Sequence, residues 1–321
     1  MKAALLIGNG LNRCYEKEHS QISWSSLLKT IANQYGVEFV DNNSFPLEYE
    51  CLVNSICEVT HIPFDDALMQ TKTAIAKQVE AQSPPINSVH HRFVDLPIDE
   101  IMTTNYDYVL ERAYSPNISL LDIKSARVKD KDSNTKSETK YSQRRKIALS
   151  GKVFHHIHGE ANTPASLCLG YAHYADYLTH IRNYVKGEVN ESNGSISDFS
   201  QKSALQKLAK RHWSDLFFTH DVHIVGLTLD ICEIDLWWIL TYRAQLFHSN
   251  ADIRNEITLY SNNPPDSDAF ATQTALFERL HVKVVSVPPT VDPTTRKADY
   301  ISAYRRICGM IEDSLFQRHA I

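Results

Sequence analysis

The chain has 321 residues, enough for one large domain or one domain with a sizeable insertion. An apolar fraction of 43% supports a real core and excludes general disorder. A formal net charge of -5 gives no global attraction to a nucleic-acid polyanion, so nucleic acid is not expected as a direct substrate.

Lys2 followed by Ala3–Ile7 resembles the start of an export signal, but Gly8-Asn9-Gly10 ends the apolar run before a signal core could form. Residues 3–7 instead read as a short buried parallel strand. Comparable runs follow at 98–102, 153–157, 221–227, 255–260 and 282–287, with helical patterns at 233–248, 268–280 and 299–316. Strands alternating with helices predict an α/β fold, a doubly wound, mostly parallel, Rossmann-like sheet within a single domain over 1–321. Two helix-rich stretches, about 20–92 and 160–215, exceed the minimal alternation and read as an inserted smaller helical module over the carboxyl ends of the strands, where ligands of such sheets bind. Residues 123–151 carry nine basic and three acidic side chains between Lys124 and Lys146, and read as a solvated basic loop or a phosphate-attracting flap. The helix at 233–248 is apolar nearly all round, with Trp237 and Trp238 about 100° apart, and reads as buried or as a subunit contact.

The cysteines, Cys14, Cys51, Cys57, Cys168, Cys232 and Cys308, include no C-x-x-C pair. That argues against a thiolate zinc site and against a disulfide framework, and it points to a reducing cytoplasm. No stretch is long enough to span a bilayer, so a membrane is not expected as a partner.

Five turns carry candidate chemistry. Gly8-Asn9-Gly10-Leu11-Asn12-Arg13 follows the first strand, and its glycines suit close approach of a pyrophosphate to backbone amides. Arg13 stands where an ordinary dinucleotide fingerprint has its third glycine, which argues against a dehydrogenase. Thr103-Thr104-Asn105-Tyr106-Asp107 joins a strand to a short helix at 108–114 and is also a competent helix start. In His155-His156-Ile157-His158-Gly159, alternation puts His156 and His158 on one face, with His158 at the strand end. No helical H-x-x-x-H accompanies them, so no metal is expected. Val225-Gly226-Leu227-Thr228, with Glu233 and Asp235 beyond it, forms a second possible phosphate cradle, and Tyr260-Ser261-Asn262-Asn263 could hold a ribose.

Taken in order, these turns resemble the sirtuin family, and more closely the sirtuin-like NAD-consuming domains of bacterial antiphage defence systems. Gly8-Asn9-Gly10, Trp24-Ser25-Ser26-Leu27-Leu28 and Thr104-Asn105-Tyr106-Asp107 carry the closer likeness, which runs from Leu5 to Val287. It implies NAD as substrate and scission of the nicotinamide–ribose bond. Asn105 would hold the nicotinamide ribose or the attacking water, His158 would be the general base, and Asp107 would hold the carboxamide or cap the helix. Gly8, Asn9, Gly10, Gly226 and Thr228 would contact the pyrophosphate, Arg13 would pair with a phosphate, Leu11 and Thr104 would also bind the cofactor, and Ser261 and Asn262 would face the adenosine ribose. Sirtuin deacylases carry a four-cysteine ribbon after the catalytic histidine, whereas Glu160–Asp215 holds only Cys168. The departure favours water as acceptor over an acyl-lysine. An enzyme that destroys NAD needs control, which implies a homo-oligomer, a regulatory partner protein, or closure by the inserted helices.

Overall fold

The computed structural model describes residues 2–14, 24–41, 44–82, 84–128, 145–186, 212–249 and 253–319. Its centre is a seven-stranded sheet built from β1 (Ala3–Ile7), β2 (Glu100–Thr103), β3 (Ile147–Leu149), β4 (Lys152–His156), β5 (Asp221–Val225), β6 (Ile257–Ser261) and β7 (Val282–Ser286). The spatial order is β3-β4-β2-β1-β5-β6-β7, parallel except for β3. The chain runs outward from β1 through β2 to β4, then returns to the other side of β1 at β5. The β1/β5 seam is therefore a topological switch point, where open α/β sheets bind ligands. The expected mostly parallel α/β sheet is the observed one.

Period-two alternation sorts each strand between two cores. Ala4, Leu6, Met102, Val222 and Ile224 face one core, covered by α7 (Tyr171–Lys186) and α9 (Ile234–His248). Leu5, Ile7, Ile101 and Val225 face the other, covered by α4 (Ser88–Asp95), α5 (Val109–Tyr114) and α11 (Tyr300–His319). A short α8 (Leu216–Thr219) leads into β5, and α10 (Asp268–Glu278) connects β6 to β7. A small antiparallel pair, β8 (Thr290–Val291) and β9 (Ala298–Asp299), precedes α11.

A third core joins α1 (Trp24–Tyr35), α2 (Phe45–Thr60) and α3 (Phe64–Gln82) to Tyr106, Ala161, Leu167 and Leu169. The two helix-rich stretches divide differently from the sequence expectation. α4 and most of α7 bury their apolar sides in the two sheet cores, leaving α1–α3 with the 161–169 segment as the separate layer. The basic stretch 123–151 is likewise not all loop. α6 (Leu120–Ser125) runs into it, Arg127 bridges to Ile147, and β3 pairs antiparallel with β4 through a turn at Ser150 and Gly151. A three-residue strand is too short to show a period in the sequence. Arg144 lies outside the described residues.

α9 buries Leu236, Ile239, Leu240 and Arg243, while Trp237 and Trp238 are only partly covered and stack on Phe277 and Tyr242. Among the described residues no helix is long and apolar enough to cross a membrane.

Candidate active site

Register brings the turns together. Ile7 pairs with Thr103 and with Val225, and Thr103 pairs with His156, so the segments after β1, β2, β4 and β5 leave the sheet along one edge. β6 joins in step, with Ile224 beside Leu259.

At the switch point Gly8 and Gly10 donate their amides to the Val225 and Gly226 carbonyls at 2.9 and 2.8 Å. A Cβ on Gly10 would lie 2.7 Å from both the Gly226 carbonyl and the Tyr304 hydroxyl. The glycines thus let two strand-end loops touch backbone to backbone, and these two amides are engaged with the protein. Beside this seam a cavity of about 390 Å³ is lined by Gly10, Arg13, Gly226, Thr228, Ser261 and Asn262 from the sequence reading. Cys14, Leu227, Tyr260, Asn263, Gln273, Tyr300 and Tyr304 complete it among the described residues. Asn262 donates to the Tyr304 hydroxyl at 3.3 Å, and its buried Oδ1 has no hydrogen-bond partner among the described residues. An unpaired acceptor at a pocket wall suits a ribose hydroxyl or an adenine amine. Leu11 lies in the apolar core, and Asn9 and Thr104 are partly exposed and absent from the cavity lining.

The Thr103–Asp107 turn is held from several sides. The Thr103 hydroxyl donates to the Ile7 carbonyl at 2.9 Å and accepts the Asn105 amide at 3.0 Å. Tyr106 donates to the Cys168 carbonyl at 2.6 Å and meets the Trp24 ring edge-on at 5.3 Å, which ties the Trp-x-x-Leu-Leu segment to this turn. Asp107 accepts the Val109 amide at 3.0 Å, starting α5, and the Asn12 side-chain amide at 2.8 Å. The Asp107 carboxylate thus braces the start of α5 and latches the turn to the glycine loop. Asn105 is 3% exposed, yet its Nδ2 has no partner among the described residues. A buried, unsatisfied amide is costly and marks a place for a ligand.

Asn12 belongs to a longer chain of bonds. The Asn87 amide donates to His90 Nδ1 at 3.1 Å, so His90 Nε2 donates to Asn12 Oδ1 at 3.1 Å. Burial, together with neighbouring His91, pushes the His90 pKa down to about 4, keeping the neutral form this relay requires.

His158 follows β4, turned outward by Gly159 at φ +99°, where a Cβ would run into the Ser166 carbonyl. Its Nε2 lies 3.0 Å from Asp235 Oδ2, with both side chains almost fully buried. A carboxylate only accepts, so Nε2 carries the proton and Nδ1 presents a lone pair. Burial opposes the charged imidazole, but the Asp235 carboxylate outweighs it and raises the His158 pKa above its ordinary value. Glu233 is pushed up to about 7, by burial and by repulsion from Asp235 and Asp230, against the pull of His158. The open space at His158 is about 10 Å³, walled by Arg145, His156, Gly159, Ser166, Cys168 and Tyr177.

Behind this wall lies a buried charged network. Glu160 pairs with Arg145 at 2.7 Å and Arg127 at 2.9 Å, and accepts the Tyr108 hydroxyl at 2.7 Å. His156 bridges Glu111 and the Asn105 carbonyl. Among the described residues, no group of three or more His, Cys, Asp or Glu side chains is placed to hold a metal ion.

Asp235 and Tyr304 are the partners that sequence reasoning did not place at the site. In the sequence Asp235 is only one acidic residue beyond the Gly226–Thr228 turn. Tyr304 sits in the last helix with no local signal.

Residues 99–218 match the family model of the SIR2-like domain, which spans β2, β4, Asn105 and His158 and supports a sirtuin-like domain with NAD-related chemistry. The glycine loop, Asp235 and the β6 turn lie outside the matched residues. No curated protein matches the chain.

Proposed function

We propose that the protein is an NAD glycohydrolase, cleaving NAD to nicotinamide and ADP-ribose with water as acceptor. The observation that carries this reading is the arrangement along one sheet edge. A cavity of about 390 Å³ at the switch point shares that edge with an orphaned asparagine amide and a buried His158–Asp235 pair.

Nicotinamide leaves as a neutral base, so the reaction needs no general acid. It needs stabilisation of an oxocarbenium-like ribose and a nucleophile on the opposite face. Asn105 Nδ2 would donate to the nicotinamide ribose or to the incoming water. His158 Nδ1 would take a proton from that water or a ribose hydroxyl, and Asp235 would hold the imidazolium that forms. The cavity lined by Gly10, Arg13, Gly226, Thr228, Ser261 and Asn262 would seat the ADP-ribose part. Arg13 would supply the positive charge for the pyrophosphate. Only Cys168 occurs between Glu160 and Asp215, which supports water over an acyl-lysine as acceptor.

With the resemblance noted above, we extend the reading to a cytoplasmic effector of antiphage defence that depletes NAD, controlled by self-association or a regulatory partner. The test is incubation of purified protein with NAD over a range of protein concentrations, with products separated by chromatography. Free nicotinamide with ADP-ribose is the expected result. Acyl-ADP-ribose or ADP-ribosylated protein would replace the hydrolase with a transferase, and tight NAD binding without turnover would make the domain a sensor.

A further inference from the structure

His156 and His158 share a face at the end of β4, and the mechanism above uses only His158. His156 is nevertheless the more tightly held. Its Nε2 is 2.7 Å from Glu111 Oε1, its Nδ1 is 2.9 Å from the Asn105 carbonyl, and both the His156 and Glu111 side chains are about 1% exposed. The Asn105 carbonyl only accepts, and so does the Glu111 carboxylate. A neutral imidazole has one N–H and one lone pair, so against an ionised Glu111 one of these contacts would set lone pair against lone pair. With Glu111 ionised, only the imidazolium satisfies both.

We infer that His156 is a charged positioning residue, held as imidazolium by Glu111, whose Nδ1–H fixes the Asn105 carbonyl and thereby aims the Asn105 amide at substrate. The inference rests on the NAD-cleaving reading. Asn105 is then gripped at both ends of its main chain, with its N–H on Thr103 and its C=O on His156, while its side chain keeps an unpaired donor. Such a grip gives the fixed geometry that an electrostatic or positioning contact needs.

The groups around the ring agree with a cation. Glu111 faces it from α5, Asp107 from the turn after β2, and Glu160 from the segment after β4. The Tyr108 ring stands edge-on at 5.3 Å, His155 is its strand neighbour, and Arg145 shares the cavity wall. Arg145 and Arg127 are both paired to Glu160. Burial by itself lowers the His156 pKa, but Glu111 first and Glu160 second outweigh it and lift it to about 9.

His156→Leu removes the Nδ1–H donor and should lower kcat by about tenfold or more with KM little changed. In wild type the ring loses its proton as pH rises through about 9. With Glu111 ionised, the neutral ring no longer satisfies both contacts, so kcat should fall over that range. In Glu111→Gln the amide can donate to Nε2 of a neutral ring that keeps Nδ1–H, so this alkaline fall should disappear and the ratio of variant to wild-type kcat should rise with pH. In parallel, ¹⁵N NMR of the wild-type histidine ring at pH 7.5 should show two protonated nitrogens at His156. A neutral wild-type ring, or a pH-independent ratio for folded Glu111→Gln, overturns the relay while leaving the hydrolase intact. If thermal melting shows Glu111→Gln unfolded, the wild-type ring state decides alone. Wild-type protein that releases no nicotinamide at any concentration overturns the proposed function and the relay with it.

Discussion

The two ends of the candidate site are built on opposite principles. At the β1/β5/β6 end a cavity of about 390 Å³ is lined largely by glycine, hydroxyl and amide groups, with Arg13 as its one charged side chain among the described residues. At the β2/β4 end about 10 Å³ of space lies against His156, His158 and Arg145, which belong to a buried ionic network. Glycine backbones approach closely at the first end because they lack Cβ atoms. At the second, charges hold side chains in place because each is paired inside a low-dielectric interior. On the proposed function, recognition and chemistry fall to different ends, and substitutions should separate them.

The sharpest test is removal of Asn105 or His158 by alanine. Nicotinamide release should fall by about 10³-fold or more, while calorimetric affinity for ADP-ribose stays within about twofold. Equal losses in binding and turnover would show that the two ends are one. A smaller effect is expected from Asp235→Asn. Without the carboxylate the His158 pKa drops, so the rise of kcat with pH should begin at lower pH while its plateau falls by about 10–100-fold. A pH–rate profile measures both, and an unshifted acidic limb would break the pairing. At the other end Gly10→Ala sets a Cβ against the Gly226 carbonyl and the Tyr304 hydroxyl. It should weaken ADP-ribose binding by about tenfold, at a stability cost of about 1–3 kcal/mol, and leave kcat at saturation largely intact. The smallest effect concerns the Asn12–His90 relay that joins the ends. The His90 pKa lies near 4 in the folded chain and near its ordinary value of 6.5 in the unfolded one. The unfolded chain therefore binds more protons between these values, and this contribution to stability is lost as pH falls from about 6.5 toward 4. Melting temperatures across that window should fall less steeply for His90→Gln than for wild type.

Much of the frame was legible because buried parallel strands announce themselves as short apolar runs. All six expected strands occur, and register alone carries Gly8, Asn105, His158 and Gly226 to one edge. What stayed illegible depends on contacts between distant segments. Nothing local in α9 shows that Asp235 meets a histidine 77 residues earlier, and nothing in α11 shows that Tyr304 reaches Gly10. Asp107 was open between carboxamide and cap, and the Val109 and Asn12 bonds show its carboxylate already engaged. Which core each inserted helix joins is not legible either, because amphipathic helices that cover a sheet look the same in sequence as helices that cover one another.

The clamp on Glu160 has a practical side. Arg127 and Arg145 converge on this one carboxylate, and Val128 and Ala148 donate amides to the Lys146 and Ala126 carbonyls beside it. One carboxylate therefore fastens the segment that ends α6 to the segment that begins β3. For an engineer that is a clasp: removing the Glu160 carboxylate would release both arginines at once and loosen the β3 edge of the sheet.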